Sequence, residues 1–64
     1  MFTLTLHTDG AAFTDEDTGA ADPAPEVARI LRELSNRLDA YGMGAEGALM
    51  DAYGNVVGEW SWRP

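Results

Sequence analysis

The 64-residue sequence contains no cysteine, no lysine and a single histidine, His7. Without thiolates there is no disulfide staple and no sulfur ligand for a metal or redox centre, which fits a reducing compartment. One imidazole leaves no His cluster for zinc, and His7, beside threonines on the outer face of the first strand, reads as a surface histidine and not as the base of a catalytic pair. No stretch approaches the roughly 18 apolar residues of a membrane span, and the N-terminus lacks a basic segment followed by an apolar run. The expectation is therefore a cytoplasmic protein that neither crosses nor binds a membrane. Residues 1–28 also lack any basic residue, while the chain as a whole sets eleven acids against four arginines for a net charge of −7. Such a field repels nucleic acid and attracts basic protein surfaces, so direct DNA or RNA binding is disfavoured.

What is present suffices for one small fold. The chain is 45% apolar with six aromatics, enough to seed a core. A chain this short buries only about 60% of its extended surface and cannot divide into two cores. Residues 1–64 thus read as a single domain whose stability comes from packing alone, or from assembly. A monomer is expected over a dimer.

Phe2-Thr3-Leu4-Thr5-Leu6-His7-Thr8 alternates apolar and polar residues, predicting a strand over 2–8 with Phe2, Leu4 and Leu6 inward and Thr3, Thr5 and His7 on the opposite face. Residues 9–24 lose this periodicity and read as a long acidic loop pinned by Phe13. Loops of this length in compact domains are uncommon and often functional. Val27, Ile30, Leu31, Leu34, Leu38 and Tyr41 recur at three- and four-residue steps, predicting a helix over 25–41. Pro25 suits its first turn, and Gly42 and Gly44 its end. Residues 46–63 read as a hairpin about a two-residue Gly54-Asn55 turn. Pairing outward from that turn sets Tyr53 against Val56, Leu49 against Trp60 and Gly47 against Trp62 on the core face. It sets Ala52 against Val57 and Glu46 against Arg63 on the other face. Both tryptophans then serve the core, with Trp62, near the chain end, the better placed to anchor a partner. The fold class is α+β: β-α-β-β, one helix on a three-stranded antiparallel sheet of order 1-3-2.

The chemistry follows by exclusion. Paired carboxylates need a desolvating pocket to act as acid and base, and so small a domain has little room for one. Asp15, Asp17 and Glu26 fall at positions 1, 3 and 12 of a calcium loop counted from Asp15. However, Gly19 and Ala20 occupy positions that need an oxygen ligand and a glycine, and no helix leads into the loop. No enzymatic activity, metal or cofactor is expected. The candidate functional residues are the N-terminal acids Asp9, Asp15, Glu16, Asp17, Asp22 and Glu26, six acids with no base among residues 1–28. In an extended segment, acids two apart lie about 6.6 Å from each other. Such a row can occupy lysines and arginines that otherwise hold DNA phosphates, which recur about every 3.4 Å of axis per strand.

The Thr/Leu strand, Ala11-Ala12-Phe13 with its acidic continuation, the run Pro25-Glu26-Val27-Ala28-Arg29-Ile30-Leu31-Arg32-Glu33-Leu34 and the segment Leu49-Met50-Asp51-Ala52-Tyr53-Gly54-Asn55-Val56-Val57-Gly58 together resemble a family of very small proteins of phages and mobile elements. Size and acidity are similar to those of anti-CRISPR proteins, some of which block DNA recognition by Cascade-type complexes. The resemblance implies a non-enzymatic, phage-encoded DNA mimic. Its partner would be the basic DNA-binding surface of a type I CRISPR surveillance complex in the bacterial cytoplasm, met through the six N-terminal acids. The alternative reading is a phage structural or assembly accessory that associates through an apolar sheet edge.

Overall fold

A computed structural model describes residues 1–40 and 44–64. Strand β1 (Phe2–Leu6) leads through a 3₁₀ turn (Ala11–Phe13) to helix α1 (Ala24–Leu38), followed by strands β2 (Glu46–Met50) and β3 (Val56–Trp62). The strands form one antiparallel sheet in the order β1-β3-β2, as the sequence predicts. The body is elongated, 42 × 18 × 18 Å, with a Cα radius of gyration of 12.9 Å.

The core gathers Phe13, Ile30, Leu34, Leu49, Val57 and Trp60, with Leu4, Leu6, Val27, Leu38 and Trp62 packed around it. Phe13 is 1% exposed, so the acidic loop is pinned as expected. Phe2 stacks on Trp60 at 6.0 Å between centroids and meets Trp62 edge-on at 6.3 Å. Gly47 stands opposite Trp60, and a Cβ there would lie 2.8 Å from the indole Nε1. The glycine leaves room for the ring. Gly58 is more constrained, because a Cβ at that position would fall 2.0 Å from the Thr5 carbonyl oxygen of the neighbouring strand.

The hairpin departs from the expected register by two residues: Leu49 faces Gly58 and Gly47 faces Trp60. The turn explains the slip. Gly54 N–H donates to Asp51 O (3.1 Å), Asp51 N–H donates to Asn55 O (2.9 Å), and Gly54 lies in the left-handed region at φ +83°. This is a three-residue connection between Asp51 and Asn55 with glycine at the left-handed position, in place of a two-residue Gly54-Asn55 turn. A slip of two preserves sidedness, so Leu49 and Trp60 still face the core and Arg63 still reaches Glu46, now diagonally, at 2.9 Å. A second change comes from a β-bulge: Met50 pairs with Val56 but Leu49 with Gly58, leaving Val57 as the extra residue. The alternation resets there. Val57 is buried, whereas Val56 and Tyr53, expected inside, are exposed.

The other differences are at element ends and on one helix flank. β1 stops at Leu6, and α1 starts at Ala24 with Val27 N–H bonded to Pro23 O (2.9 Å). The helix ends at Leu38 instead of residue 41; Tyr41 and Gly42 lie outside the described residues. Leu31, expected in the core, is 43% exposed. At about 100° per residue, the buried arc of α1 centres between Ile30 and Leu34 and extends towards Glu26, which leaves Leu31 on the opposite flank.

Candidate interaction surface

The acidic segment is folded rather than extended. Phe13 N–H donates to Gly10 O (3.1 Å), and the Thr14 hydroxyl donates to Ala11 O (2.7 Å), closing the 3₁₀ turn. Beyond it the chain doubles back: Thr14 bridges Ala21, Asp15 N–H donates to Ala20 O (2.8 Å), and Asp22 N–H donates to Phe13 O (2.9 Å). At the tip Asp15 Oδ1 accepts the amides of Asp17 (2.8 Å) and Thr18 (3.1 Å), and Gly19, at φ +71°, completes the reversal. This overturns the extended spacing expected for Asp15 and Asp17. Asp15, Glu16 and Asp17 lie on one tight turn, which the Asp15 carboxylate holds, Asp22 follows on its return limb, and Asp9 precedes the 3₁₀ turn. All but the half-buried Asp15 are exposed.

Glu26 does not belong to this surface. Its side chain is buried against the hairpin, accepting Arg29 Nε at 2.8 Å and Arg29 Nη2 at 2.7 Å in a two-pronged ion pair, and the Ala52 amide at 2.8 Å. The bonds from Arg29, followed by the bond from Ala52, hold its carboxyl below the usual carboxylate range, although burial opposes them. Arg29 is held further towards its charged form by Glu26, and it also reaches Glu33 at 2.9 Å. The sequence-based expectation for Glu26 is therefore corrected: it ties the helix to the turn and is not available to a partner. Asp51, unmarked in the sequence reading, is the other internal acid. Its Oδ1 accepts the Asn55 and Tyr53 amides, each at 2.9 Å, and these bonds, Asn55 foremost, lower its carboxyl below the ordinary value. Asp at the first position of a turn with Gly three residues on was a readable sign of this role.

Among the described residues, the ion pairs join Arg29 to Glu26 and Glu33, and Arg63 to Glu46. None includes an acid of residues 9–22. That segment carries five acids and no base, while the remainder of the chain sets six acids against four arginines.

Two further surfaces stand apart from it. The open face of the sheet is a shallow depression of about 530 Å³ floored by Thr3, Thr5, Ala48, Glu59 and Ser61 and crossed by the Glu46–Arg63 pair. At the hairpin tip Met50, Tyr53 and Val56 are exposed together. His7 lies exposed just past β1. Among the described residues no group of three or more His, Asp or Glu side chains is arranged to hold a metal ion, and no helix is long and apolar enough to cross a membrane.

No family model matches the chain, and neither a curated protein nor a solved structure matches it significantly. The likeness to small acidic phage proteins rests on the residues quoted for it alone.

Proposed function

We propose that this chain is a non-enzymatic, phage-encoded inhibitor that binds a basic, DNA-contacting protein surface, that of a type I CRISPR surveillance complex, and keeps target DNA off it. The observation that carries this reading is the set Asp9, Asp15, Glu16, Asp17 and Asp22: five acids outside the ion pairs of the described residues, on a segment anchored to the core through Phe13. Lysines and arginines that hold phosphates in the DNA-bound complex would find carboxylates in their place. Because the segment is a folded turn, it acts as a compact acidic knob plugging a phosphate-binding patch, not as a ladder following a DNA strand. The anchored base limits the conformational entropy lost on binding.

The test is competition. Purified type I complex is titrated with labelled target duplex in the presence of the wild-type chain, and then of a variant carrying Asp9→Lys, Asp15→Asn, Glu16→Lys, Asp17→Lys and Asp22→Lys. Asparagine at position 15 keeps the acceptor that holds the turn. The wild type should displace duplex, less effectively as salt rises. The variant should melt within about 1 kcal/mol of the wild type, as surface changes usually do, and should not displace duplex. Displacement that survives all five substitutions would sink the reading.

The exposed trio Met50, Tyr53 and Val56 favours a second reading, an assembly accessory docking through the hairpin tip. Loss of partner binding in Tyr53→Ser with Val56→Ser, with the acid variant still binding, would replace the first reading by the second.

A further inference from the structure

β1 lies at the edge of the sheet, and its hydrogen-bonding parity can be assigned. Met1 and Arg63 exchange both backbone bonds, and His7 N–H donates to Val57 O (2.7 Å). Thr3 stands opposite Ser61 and Thr5 opposite Glu59. In an antiparallel ladder bonded pairs alternate with non-bonded ones, so Met1, Thr3 and Thr5 bond to β3. The N–H and C=O groups of Phe2, Leu4 and Leu6 consequently point away from β3, to the side where the sheet has no further strand.

This edge lacks the devices that normally blunt one. Phe2–Leu6 contains no charge, proline, glycine or bulge. The opposite edge differs, since β2 opens with Glu46 and Gly47 and ends at the bulge.

From this we propose that the free edge of β1 is a self-association surface and that its occupant is β1 of a second copy of the chain. Two β1 strands run antiparallel about a two-fold axis at Leu4, joining two three-stranded sheets into one of six strands. Phe2 then faces Leu6 of the second copy, Leu4 faces Leu4, and Leu6 faces Phe2. Three bonded pairs satisfy all the outward N–H and C=O groups of both strands. The same register sets Thr3 against Thr5 of the second copy, so side chains match apolar to apolar on one face and threonine to threonine on the other. Backbone parity and side-chain pattern, with the demand that all three outward residues be bonded, select this register, and the arrangement is isologous, the closed form that does not propagate into fibres. The net charge of −7 opposes such a dimer, but β1 itself is uncharged and the first acid after it is Asp9. Salt should therefore strengthen self-association while weakening capture of a basic target, which separates this inference from the proposed function.

The experiment is light-scattering mass across a hundredfold dilution series, with and without added salt. The wild-type mass should rise from 6.9 kDa in dilute solution towards twice that value. A chemically synthesised chain with N-methylated Leu4 removes one outward donor and blocks the edge while leaving every bond to β3 in place. It should give the wild-type circular dichroism spectrum and stay at the monomer mass throughout. Should that chain fail to fold, Thr3→Lys with Thr5→Lys, which sets lysines against each other across the proposed axis, decides instead and should weaken association at least tenfold. A wild type that stays at the monomer mass at every concentration and salt overturns the proposal. So does an N-methylated chain that folds and dimerises like the wild type, or a dimer lost on Tyr53→Ser but kept on blocking Leu4.

Discussion

Asp15 and Asp51 each turn the chain by accepting downstream amides, those of Asp17 and Thr18 in one case and of Tyr53 and Asn55 in the other. Their settings differ. Asp51 sits beneath the hairpin next to Ala52, whose amide is held by Glu26, and Glu26 is held by Arg29, so this turn is knitted to the helix. Asp15 lies on a segment attached to the body through Phe13, and its neighbours Glu16 and Asp17 face solvent without a cation. The same side-chain chemistry thus serves the architecture in one place and leaves surplus charge in the other. Burial and a nearby arginine decide which. An acidic residue count is a poor guide to function until each carboxylate has been sorted in this way.

The comparison fails altogether if the two regions come apart, and Gly58→Ala is the change most able to separate them. The added methyl would meet the Thr5 carbonyl at 2.0 Å, and both groups are backbone, so β1 must move away from β3. We expect a loss above about 3 kcal/mol, which rivals the roughly 3–5 kcal/mol that a core of this size supplies. The readout is the melting transition, and an unaltered one would show that the strand contact is looser than described.

Phe13→Ala sharpens the contrast from the other side. Removing the one fully buried side chain of the acidic segment should cost about 3 kcal/mol, the lower end for a phenylalanine, because the segment can partly collapse into the space. Leu31→Ala, at a position 43% exposed, serves as the control and should cost under about 1 kcal/mol. Hydrogen exchange on a partly destabilised Phe13→Ala chain should show the Asp15, Asp22 and Gly19 amides losing protection before those of Asp51 and Asn55. The reverse order would count against the asymmetry.

The last contrast concerns pH. The carboxyls of Glu26 and Asp51 are lowered in the folded chain by their hydrogen bonds. Their contribution is therefore complete above the ordinary carboxylate value of about 4 and is lost as pH falls through the lower folded values. A variant with Glu26→Gln and Asp51→Asn should melt below the wild type at neutral pH, and the gap should narrow on acidification below about pH 4.

Much of this fold is written in residue patterns. The period-two run from Phe2 fixes β1, the 27/30/34/38 stripe fixes the helix, and the topology leaves order 1-3-2 as the compact solution. The turn at Asp51 misleads because Gly54-Asn55 imitates a two-residue hairpin signal, whereas Asp at position 51 and Gly at 54 mark the longer connection. The two tryptophans keep their face only because the resulting slip is even. Gly58 marks a bulge near Val57, since glycine inside a strand often accompanies one, but which of Val56 and Val57 turns inward is legible only in three dimensions. In the candidate site, Asp9, Glu16, Asp17 and Asp22 are exposed as their composition suggests. Glu26 could be separated from them through Arg29, three positions on along one helix face, but its long-range bond to Ala52 could not be foreseen.

The elongated outline has a hydrodynamic consequence. A compact chain of 64 residues is expected to have a radius of gyration near about 11 Å, and this one reaches 12.9 Å along a 42 Å axis. A rod of that aspect tumbles slowly for its mass and leaves a gel-filtration column early, in the position of a larger globular protein. Elution volume alone would therefore overstate the mass, whereas rotational correlation times along and across the long axis would distinguish a lone rod from two joined ones.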